Sequence, residues 1–423
     1  MTSTTSPAPR PLARAETLQA LGTRPLDLLV VGGGATGCGL ARDAALRGLT
    51  VALVEREDIA SGTSSRSSRL VHGGVRYLEQ GALGLVFEAS AERRRLLRLA
   101  PHLVWPLEFT WPVYAGARVQ SWKLAAGLAL YDLLALFRNV GTHKRLSARE
   151  VLAREPRLRA ESLRGGASYW DAATDDARLT LMTAVDAARA GALVATHARV
   201  EALRHERGRV AGAVVVDALG GAPIEARARV VVNAAGPWSD AVRALDPSES
   251  GRGAAVRGSK GAHIAVPRER VGNVRALTLV VPQDGRVFFV LPAGGFAIIG
   301  TTDTDTTAAP EEIRATRADV AYLLGAANAY FPEARLAPED VVSAWAGVRP
   351  LAARPTDAAG APSAASREHA IVRGPGGLIS VTGGKLTTYR SMAAELADVV
   401  ERALGRRPRR SPTADRPLPG GAI

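Results

Sequence analysis

A glycine-rich turn between an apolar strand and an alanine-rich helix constrains the fold of this chain more than any other feature. The apolar run at residues 28–31 is followed directly by GGGATG at 32–37, and a second apolar run at 51–54 follows the helical segment 36–47. Continuous apolar runs of this length are typical of parallel strands that are buried on both faces. The order of strand, glycine turn, helix and strand predicts a Rossmann-like unit.

The residues of this turn are suited to the diphosphate of a dinucleotide. Gly32 permits a tight turn, Gly34 lets the backbone approach the diphosphate, and Gly37 lets the helix pack closely on the strand. The start of the helix, at Ala35 and Thr36, offers free N–H groups and the positive end of the helix dipole. We therefore predict that the turn binds a dinucleotide.

Glu55 supports dinucleotide binding, and two further features favour FAD over NAD. Glu55 ends the second strand, where its carboxylate is placed to accept hydrogen bonds from ribose hydroxyls and would repel a 2′-phosphate. Two more glycine turns follow strands far along the chain, NAAGPW at 233–238 and GGKLTT at 383–388. A dinucleotide held at three distant points of the chain indicates an extended cofactor. The hydroxyl side chains just past Glu55 suit the diphosphate and ribityl chain of such a ligand: Thr63, Ser64, Ser65, Ser67 and Ser68.

Composition limits the other classes of function. Lys and Arg outnumber Asp and Glu by 54 to 41, and this formal charge of +13 favours contact with something anionic. Aromatic residues make up only 5% of the chain and the basic residues are scattered, which disfavours a nucleic-acid-binding or structural protein. The one cysteine, Cys38, excludes an intramolecular disulfide and a four-cysteine zinc site. The longest apolar stretch, 124–137, is too short to span a bilayer, and we predict a cytoplasmic protein.

The order of the predicted elements favours an α/β protein with two interleaved domains. Short alternating strands between about 254 and 350 predict an antiparallel sheet in an α+β substrate domain. We assign residues 25–115, 165–245 and 350–405 to a discontinuous dinucleotide-binding domain, and residues 116–164 and 246–349 to the substrate domain. Residues 1–24 and 406–423 are rich in Pro, Ser or Arg, which predicts flexible tails.

Eight segments, taken in order, resemble one family. They are EREDIASGTSSRSSRLVHGGVRYLEQ at 55–80, YWD at 169–171 with DDARL at 175–179, NAAGPW at 233–238, GSKGAHIAVP at 258–267, IIGTTDTD at 298–305, GVRPL at 347–351 and GGKLTTYR at 383–390. Together they resemble the FAD-linked glycerol-3-phosphate dehydrogenases, part of the wider group of D-amino-acid-oxidase-like flavoproteins. The resemblance covers residues 25 to 405. Such proteins continue beyond an LPGG-like segment into a helical domain, which we expect this chain to lack because it stops at Ile423.

The resemblance implies an activity and a set of partners. It implies removal of hydride from C2 of sn-glycerol 3-phosphate to N5 of the flavin, which gives dihydroxyacetone phosphate, with electrons passed on to a membrane quinone. It also implies peripheral contact with the inner face of the cytoplasmic membrane, for which the segment 122–138 is a candidate; the alternative is that this segment is a helix buried in the substrate domain. We expect a homodimer. The alternative is an oxidase of glycerol 3-phosphate, an amine or an amino acid that uses oxygen.

The same resemblance implies which residues meet the substrate. A dianionic phosphate needs cationic partners, and the candidates are Arg76, Arg349, Arg367, Lys260 and Lys385, with Tyr77 as a further contact. Loss of hydride requires the C2 hydroxyl proton to leave. His72 and His263 are candidates for the base, Arg349 is a candidate for stabilising an alkoxide, and Lys385 for stabilising the reduced flavin. Further FAD contacts are expected at Leu70, His72, Gly74, Val200, Ala235, Gly236, Gly384, Lys385, Leu386 and Thr387.

Overall fold

The computed structural model of the protein describes residues 12–78, 81–117, 119–136, 139–353 and 368–422, without the side chain of Arg76. These residues form eighteen strands. In chain order they are β1 (Leu26–Val31), β2 (Val51–Val54), β3 (Leu70–Val71), β4 (Val104–Tyr114), β5 (Lys144–Leu146), β6 (Leu163–Thr174), β7 (Leu193–Ala195), β8 (Ala198–Glu206), β9 (Arg209–Asp217), β10 (Ile224–Asn233), β11 (Val256–Pro267), β12 (Ala276–Val280), β13 (Val287–Ala293), β14 (Phe296–Gly300), β15 (Thr304–Asp305), β16 (Ser343–Ala352), β17 (His369–Arg373) and β18 (Ile379–Gly383).

Ten α-helices connect and cover these strands. They are α1 (Arg14–Thr23), α2 (Ala35–Leu46), α3 (Leu83–Leu99), α4 (Ser121–Leu134), α5 (Ala148–Arg154), α6 (Asp176–Arg189), α7 (Ser239–Arg243), α8 (Arg268–Val271), α9 (Arg317–Asn328) and α10 (Tyr389–Ala403). Among the described helices, none combines the length and the apolar character needed to cross a membrane.

The first sheet is the predicted Rossmann-like unit. Its strands run in the order β17-β18-β10-β1-β2-β7, and β1 pairs in parallel with both β2 and β10. The side chains of Leu28, Leu29 and Val30 are fully buried, because α2 and α10 cover one face of β1, and α1 with strands β8 and β9 covers the other. The predicted strand, glycine turn, helix and strand are therefore confirmed.

The second sheet is the predicted antiparallel one. Its strands run in the order β15-β11-β14-β13-β12-β4-β6-β3, with β16 paired to β11 and β5 paired to β6. All of its pairings are antiparallel except that of β12 with β4. One face packs on α9, where Phe288, Ile299 and Leu323 are buried, and the other face looks toward the first sheet. The predicted fold class is confirmed.

The two sheets divide the chain differently from the predicted domain boundaries. Strand β4 and most of β6 lie in ranges that we assigned to the dinucleotide-binding domain, yet both belong to the second sheet. They pair with each other from Val104 opposite Thr174 to Tyr114 opposite Leu163. A pairing between segments so far apart in the chain leaves no local sequence signal.

The prediction of flexible tails is wrong for the described parts of both termini. Residues 14–23 form α1, which buries Leu21 against the first sheet. Near the C-terminus, Thr413 donates a hydrogen bond to Asp43 over 2.9 Å, and the N–H of Leu418 donates to the carbonyl of Leu99 over 2.9 Å. The Arg- and Pro-rich composition predicted a solvent-exposed segment. Thr413 and Leu418 are instead buried, and their hydrogen bonds attach the segment to α2 and α3.

A buried ion pair joins α3 to α10 beneath this C-terminal segment. Arg390 donates to the carboxylate of Glu92 through Nε and Nη2, over 2.6 and 2.7 Å, and both side chains are buried. Arg390 also donates to Thr413 over 3.2 Å. The pair thus ties two helices and the C-terminal segment together.

We predict that Glu92→Gln lowers the free energy of unfolding by about 3–5 kcal/mol, since it leaves the charge of Arg390 buried without a carboxylate. The matched control is Arg98→Ala, which removes an exposed pair with Asp415 and should cost no more than about 1 kcal/mol. Urea unfolding of the three proteins checks this. Equal losses in the two variants would show that burial of the Glu92 pair carries no special weight.

Candidate active site

A large cavity lies between the two sheets. Its volume is about 590 Å³, within the range of small-molecule and cofactor sites. The three predicted glycine turns all line it, although they are about 200 and 150 residues apart in the chain. Of the residues predicted to bind the cofactor, all line the cavity except Gly37 and Ser65.

The first turn brings the start of α2 against β1. Gly32 has φ +113°, and a Cβ on it would lie 2.6 Å from the carbonyl oxygen of Ala234. A Cβ on Gly37 would clash with the carbonyl oxygen of Gly32, so Gly37 acts through packing although it does not line the cavity. The N–H of Ala35 donates to Ser64 Oγ over 3.0 Å, which fixes the hydroxyl loop at the helix N-terminus.

Glu55 is held rigidly at the end of β2. Its Oε2 accepts from the N–H of Gly33 over 2.6 Å, and its Oε1 accepts from the N–H of Glu57 over 2.9 Å. Glu55 lines the cavity next to Val200 on β8. A carboxylate in this place retains lone pairs for ribose hydroxyls, so its position fits the predicted role.

Most hydroxyls of the loop after β2 already have protein partners. Thr63 donates to the carbonyl of Val348 over 2.6 Å, Ser67 donates to Asp176 over 2.6 Å, and Ser68 Oγ lies 2.8 Å from His263 Nε2. Ser65 turns back toward Gly62 and does not reach the cavity. The loop is therefore a bridge between the two sheets as well as part of the cavity wall.

The cavity continues from the glycine turns into a cluster of ionisable side chains. Arg349 on β16 donates to Thr301 Oγ1 over 3.0 Å and pairs with Asp303 over 3.2 Å. His263 on β11 is buried and stacks on Trp345, with ring centroids 5.3 Å apart. Burial, together with the positive charges of Arg349 and Arg69, lowers the pKa of His263 to about 3.

A second group faces this cluster from the third glycine turn. Lys385 Nζ lies 4.3 Å from the centroid of the Tyr77 ring, a cation–π contact. Tyr77 is also stacked with His72, with ring centroids 6.4 Å apart. The N–H of His72 donates to Thr387 Oγ1 over 3.1 Å, so the segment after β3 is attached to the third turn.

One predicted substrate residue points elsewhere. Lys260 Nζ pairs with Asp319 of α9 over 2.6 Å and does not line the cavity. Side chains alternate along a strand, and on β11 the cavity side is taken by Gly261 and His263, so Lys260 faces the opposite layer. The side chain of Arg76 and the whole of Arg367 lie outside the described residues.

Several cavity residues were missed by sequence reasoning. Arg286 lines the cavity and donates to the carbonyl of Asp303 over 2.6 Å. The floor formed by the second sheet is aromatic, with the ring of Phe109 in contact with those of Tyr169 and Phe289. The alternation of side chains in β4, β6 and β13 was a usable signal for these positions, but it required knowing which strands are neighbours.

Comparison with protein-family models matches residues 27–390 to the family described as FAD dependent oxidoreductase. The chain belongs to this family. Membership makes FAD its cofactor, as the sequence predicted. The cavity fits such a cofactor, because three turns from distant parts of the chain and an acid at the end of β2 line one continuous space.

Two glycerol-3-phosphate dehydrogenases are similar to this chain over most of its length. A glycerol-3-phosphate dehydrogenase 2 of Mycobacterium bovis is 45% identical over 392 residues, which are 92% of this chain and 65% of the relative. An aerobic glycerol-3-phosphate dehydrogenase of Staphylococcus aureus is 39% identical over 89% of this chain and 67% of the relative. The match therefore spans about two thirds of each relative's length, and the predicted family resemblance is confirmed.

Solved structures agree with this assignment. The glycerol-3-phosphate dehydrogenase of Bacillus halodurans, complexed with FAD, superimposes with a TM-score of 0.80 at 36% identity and covers 97% of this chain and 71% of its own. Glycine oxidase from Geobacillus kaustophilus has a TM-score of 0.69 at 22% identity, over 94% of this chain and 99% of its own. The second likeness concerns the fold alone.

We predict that Gly37→Ala abolishes most FAD binding, because a methyl group there must push α2 away from the Gly32 carbonyl and displace the first turn. The flavin-to-protein absorbance ratio of the purified protein measures this. The control is Gly325→Ala in α9, where a Cβ meets nothing within 4 Å and should stabilise the helix by about 0.5–1 kcal/mol. A full complement of FAD in Gly37→Ala would refute the packing argument.

Proposed function

We propose that this chain oxidises sn-glycerol 3-phosphate at C2 to dihydroxyacetone phosphate with bound FAD. The observation that carries the proposal is that one cavity joins the three glycine turns to the cations Arg286, Arg349 and Lys385 beside a neutral His263. Cations suit a phosphate, and an uncharged imidazole suits a secondary alcohol. The names of the relatives at 39–45% identity support the same substrate.

The glycine turns and Glu55 are the residues proposed to hold the cofactor. The N-terminus of α2 would receive the diphosphate, Glu55 the ribose hydroxyls, and the turn at 383–387 the flavin end. When bound, FAD supplies the flavin N5 that accepts hydride from C2 of the substrate. Lys385, whose Nζ is buried beside Tyr77, would place a positive charge near the reduced ring.

Arg349 is the residue best placed to orient the substrate phosphate. Its guanidinium is fixed by Asp303 and Thr301, so little side-chain freedom would be lost on binding. Arg286 is fixed in turn by the carbonyl of Asp303. Tyr77 lines the same space, and contacts from Arg76 and Arg367 stay predictions.

His263 is proposed to take the proton of the C2 hydroxyl. Its lowered pKa, about 3, keeps the ring neutral at physiological pH, so a ring nitrogen can accept a hydrogen bond. Nε2 is paired with Ser68, whereas Nδ1 is buried and has no hydrogen-bond partner among the described residues. Nδ1 is therefore the ring nitrogen without a partner in the described part of the chain; because this atom has almost no exposed surface, the proposed role requires the ring to turn toward the substrate hydroxyl.

We predict that His263→Gln lowers kcat by about 10²–10⁴-fold with FAD content unchanged, as expected for loss of a general base. His205→Gln, at a partly exposed histidine paired with Asp246 outside the cavity, serves as the control. Stopped-flow reduction of the flavin reports the chemical step directly. A rate within a few-fold of the unmodified protein would remove His263 from the mechanism.

Anaerobic bleaching of the flavin by a substrate panel tests the function as a whole. We expect glycerol 3-phosphate to bleach the flavin and yield dihydroxyacetone phosphate in equal amount, while glycerol and glycine leave the flavin oxidised. Bleaching by an amino acid or amine, and not by glycerol 3-phosphate, would overturn the proposed substrate.

A membrane quinone is the proposed electron acceptor. Helix α4 supports this, because its outward face is apolar apart from Lys123: the exposed residues are Trp122, Ala126, Ala129, Leu130 and Leu133, continued by Leu136. An exposed apolar surface of this kind marks a site of contact with a membrane or another protein. This favours peripheral contact with the cytoplasmic membrane. The expected homodimer stays a prediction.

We predict that the double variant Trp122→Ser, Leu133→Ser binds anionic phospholipid vesicles at least about tenfold more weakly, since burial of each side chain contributes about 1.5–3 kcal/mol. Leu219→Ser removes an equally exposed apolar side chain elsewhere and should bind like the unmodified protein. Co-sedimentation measures the affinity, and equal vesicle affinities of the double variant and the unmodified protein would refute the role of α4.

The hydrogen peroxide yield with and without a quinone analogue separates quinone from oxygen as the electron acceptor.

A further inference from the structure

A buried polar cluster lies behind the part of the cavity lined by His72 and Gly74. Its centre is an ion pair between Asp171 on β6 and Arg93 on α3, and both side chains are only 4% exposed. Asp171 lines the cavity, whereas Arg93 lies behind it. A buried charge pair of this kind costs desolvation energy and is weak evidence for stability by itself, so its position calls for another explanation.

One oxygen of Asp171 gathers three donors. Its Oδ1 accepts from the N–H of Gly73 over 3.0 Å, from the hydroxyl of Tyr131 over 2.7 Å, and from Arg93. Gly73 itself packs so closely on α3 that a Cβ there would lie 2.6 Å from Ser90 Oγ and would clash with the Tyr131 hydroxyl. The backbone of Gly73 is thus fixed from behind by a charge-assisted hydrogen bond and by contact.

The same short segment is fixed from the front by the third glycine turn. Thr387 Oγ1 accepts from the N–H of His72 and donates to the carbonyl of His72, over 3.1 and 3.2 Å. A Cβ on Gly74 would lie 3.4 Å from Lys385 Nζ. Residues 72–74 are therefore in direct contact with the third glycine turn, and any shift of these residues changes their distance from Lys385.

Arg93 keeps Asp171 in place and is itself constrained. It donates to the carbonyl of Trp170 over 3.1 Å and to Tyr131 over 2.7 Å, and it also bonds Asn139. If the side chain of Asp171 rotated toward the cavity, this buried guanidinium would lose its carboxylate partner. The carboxylate thus presents its oxygen to Gly73 in one fixed geometry.

We propose that Asp171, held by Arg93, is a positioning residue that sets the place of residues 72–74 against the flavin and Lys385. The expected change in kcat rests on the proposed function, whereas the expected change in the flavin spectrum does not. Asp171 acts through the Gly73 N–H, and neither Asp171 nor Arg93 is required to touch the substrate.

The test uses Asp171→Ala, which removes the acceptor, and Asp171→Asn, which keeps an oxygen for Gly73 but not the charge. We expect Asp171→Ala to bind FAD, to lose about 10- to 100-fold in kcat with a smaller change in KM, and to shift the visible absorption band of the bound flavin. Asp171→Asn should show the same changes to a smaller extent. Asp186→Ala, which breaks another buried pair with Arg42, should lose stability but keep kcat and the flavin spectrum.

Two results would overturn the proposal. One is an Asp171→Ala protein whose bound flavin has the spectrum and kcat of the unmodified enzyme; if that variant does not fold, the same result for Asp171→Asn decides. The other is an equal spectral shift in Asp186→Ala, which would mean that loss of any buried pair has this effect. Because the spectrum needs no substrate, failure of glycerol 3-phosphate to reduce the flavin would refute the proposed function separately.

Discussion

The close approach of the start of α2 to the end of β1 is the constraint on which the rest of the site depends. It exists because Gly37 lacks a side chain that would meet the Gly32 carbonyl, and because Gly32 adopts a positive φ next to Ala234. The contact brings the first N–H groups of the helix to the wall of the cavity, where the N–H of Ala35 donates to Ser64. It also places Ser64, Glu55 and the second glycine turn around the same space.

The second sheet completes the cavity with chemistry that the first sheet does not provide. The middle of its inward face is aromatic, and polar side chains lie toward its edges. His263 and Arg349 lie toward one edge, and Asp171 lies toward the other. Ser68 and Thr63 connect the hydroxyl loop to this sheet. The cofactor and the reacting groups are thus placed by one set of contacts between the two layers.

Local patterns in the sequence predicted what depends on neighbouring residues. The glycine turn with Glu55 and the buried strands β1 and β2 could be predicted because each is encoded within about thirty residues. Lys260 was misplaced, because the direction of a strand side chain depends on register, and Gly261 and His263 hold the cavity side. No local sequence pattern predicts contacts between segments that are distant in the chain. Examples are the pairing of β4 with β6, the Arg93–Asp171 ion pair and the hydrogen bond of Thr413 to Asp43.

The central claim is that three distant turns hold one FAD, and an experimental structure of the FAD complex tests it most directly. The account predicts the diphosphate within hydrogen-bonding distance of the N–H groups at the start of α2, the ribose at Glu55, and the flavin ring against the surface that residues 383–387 and the segment 72–74 form together. A diphosphate bound away from α2, or a flavin ring remote from both Lys385 and His263, would contradict it.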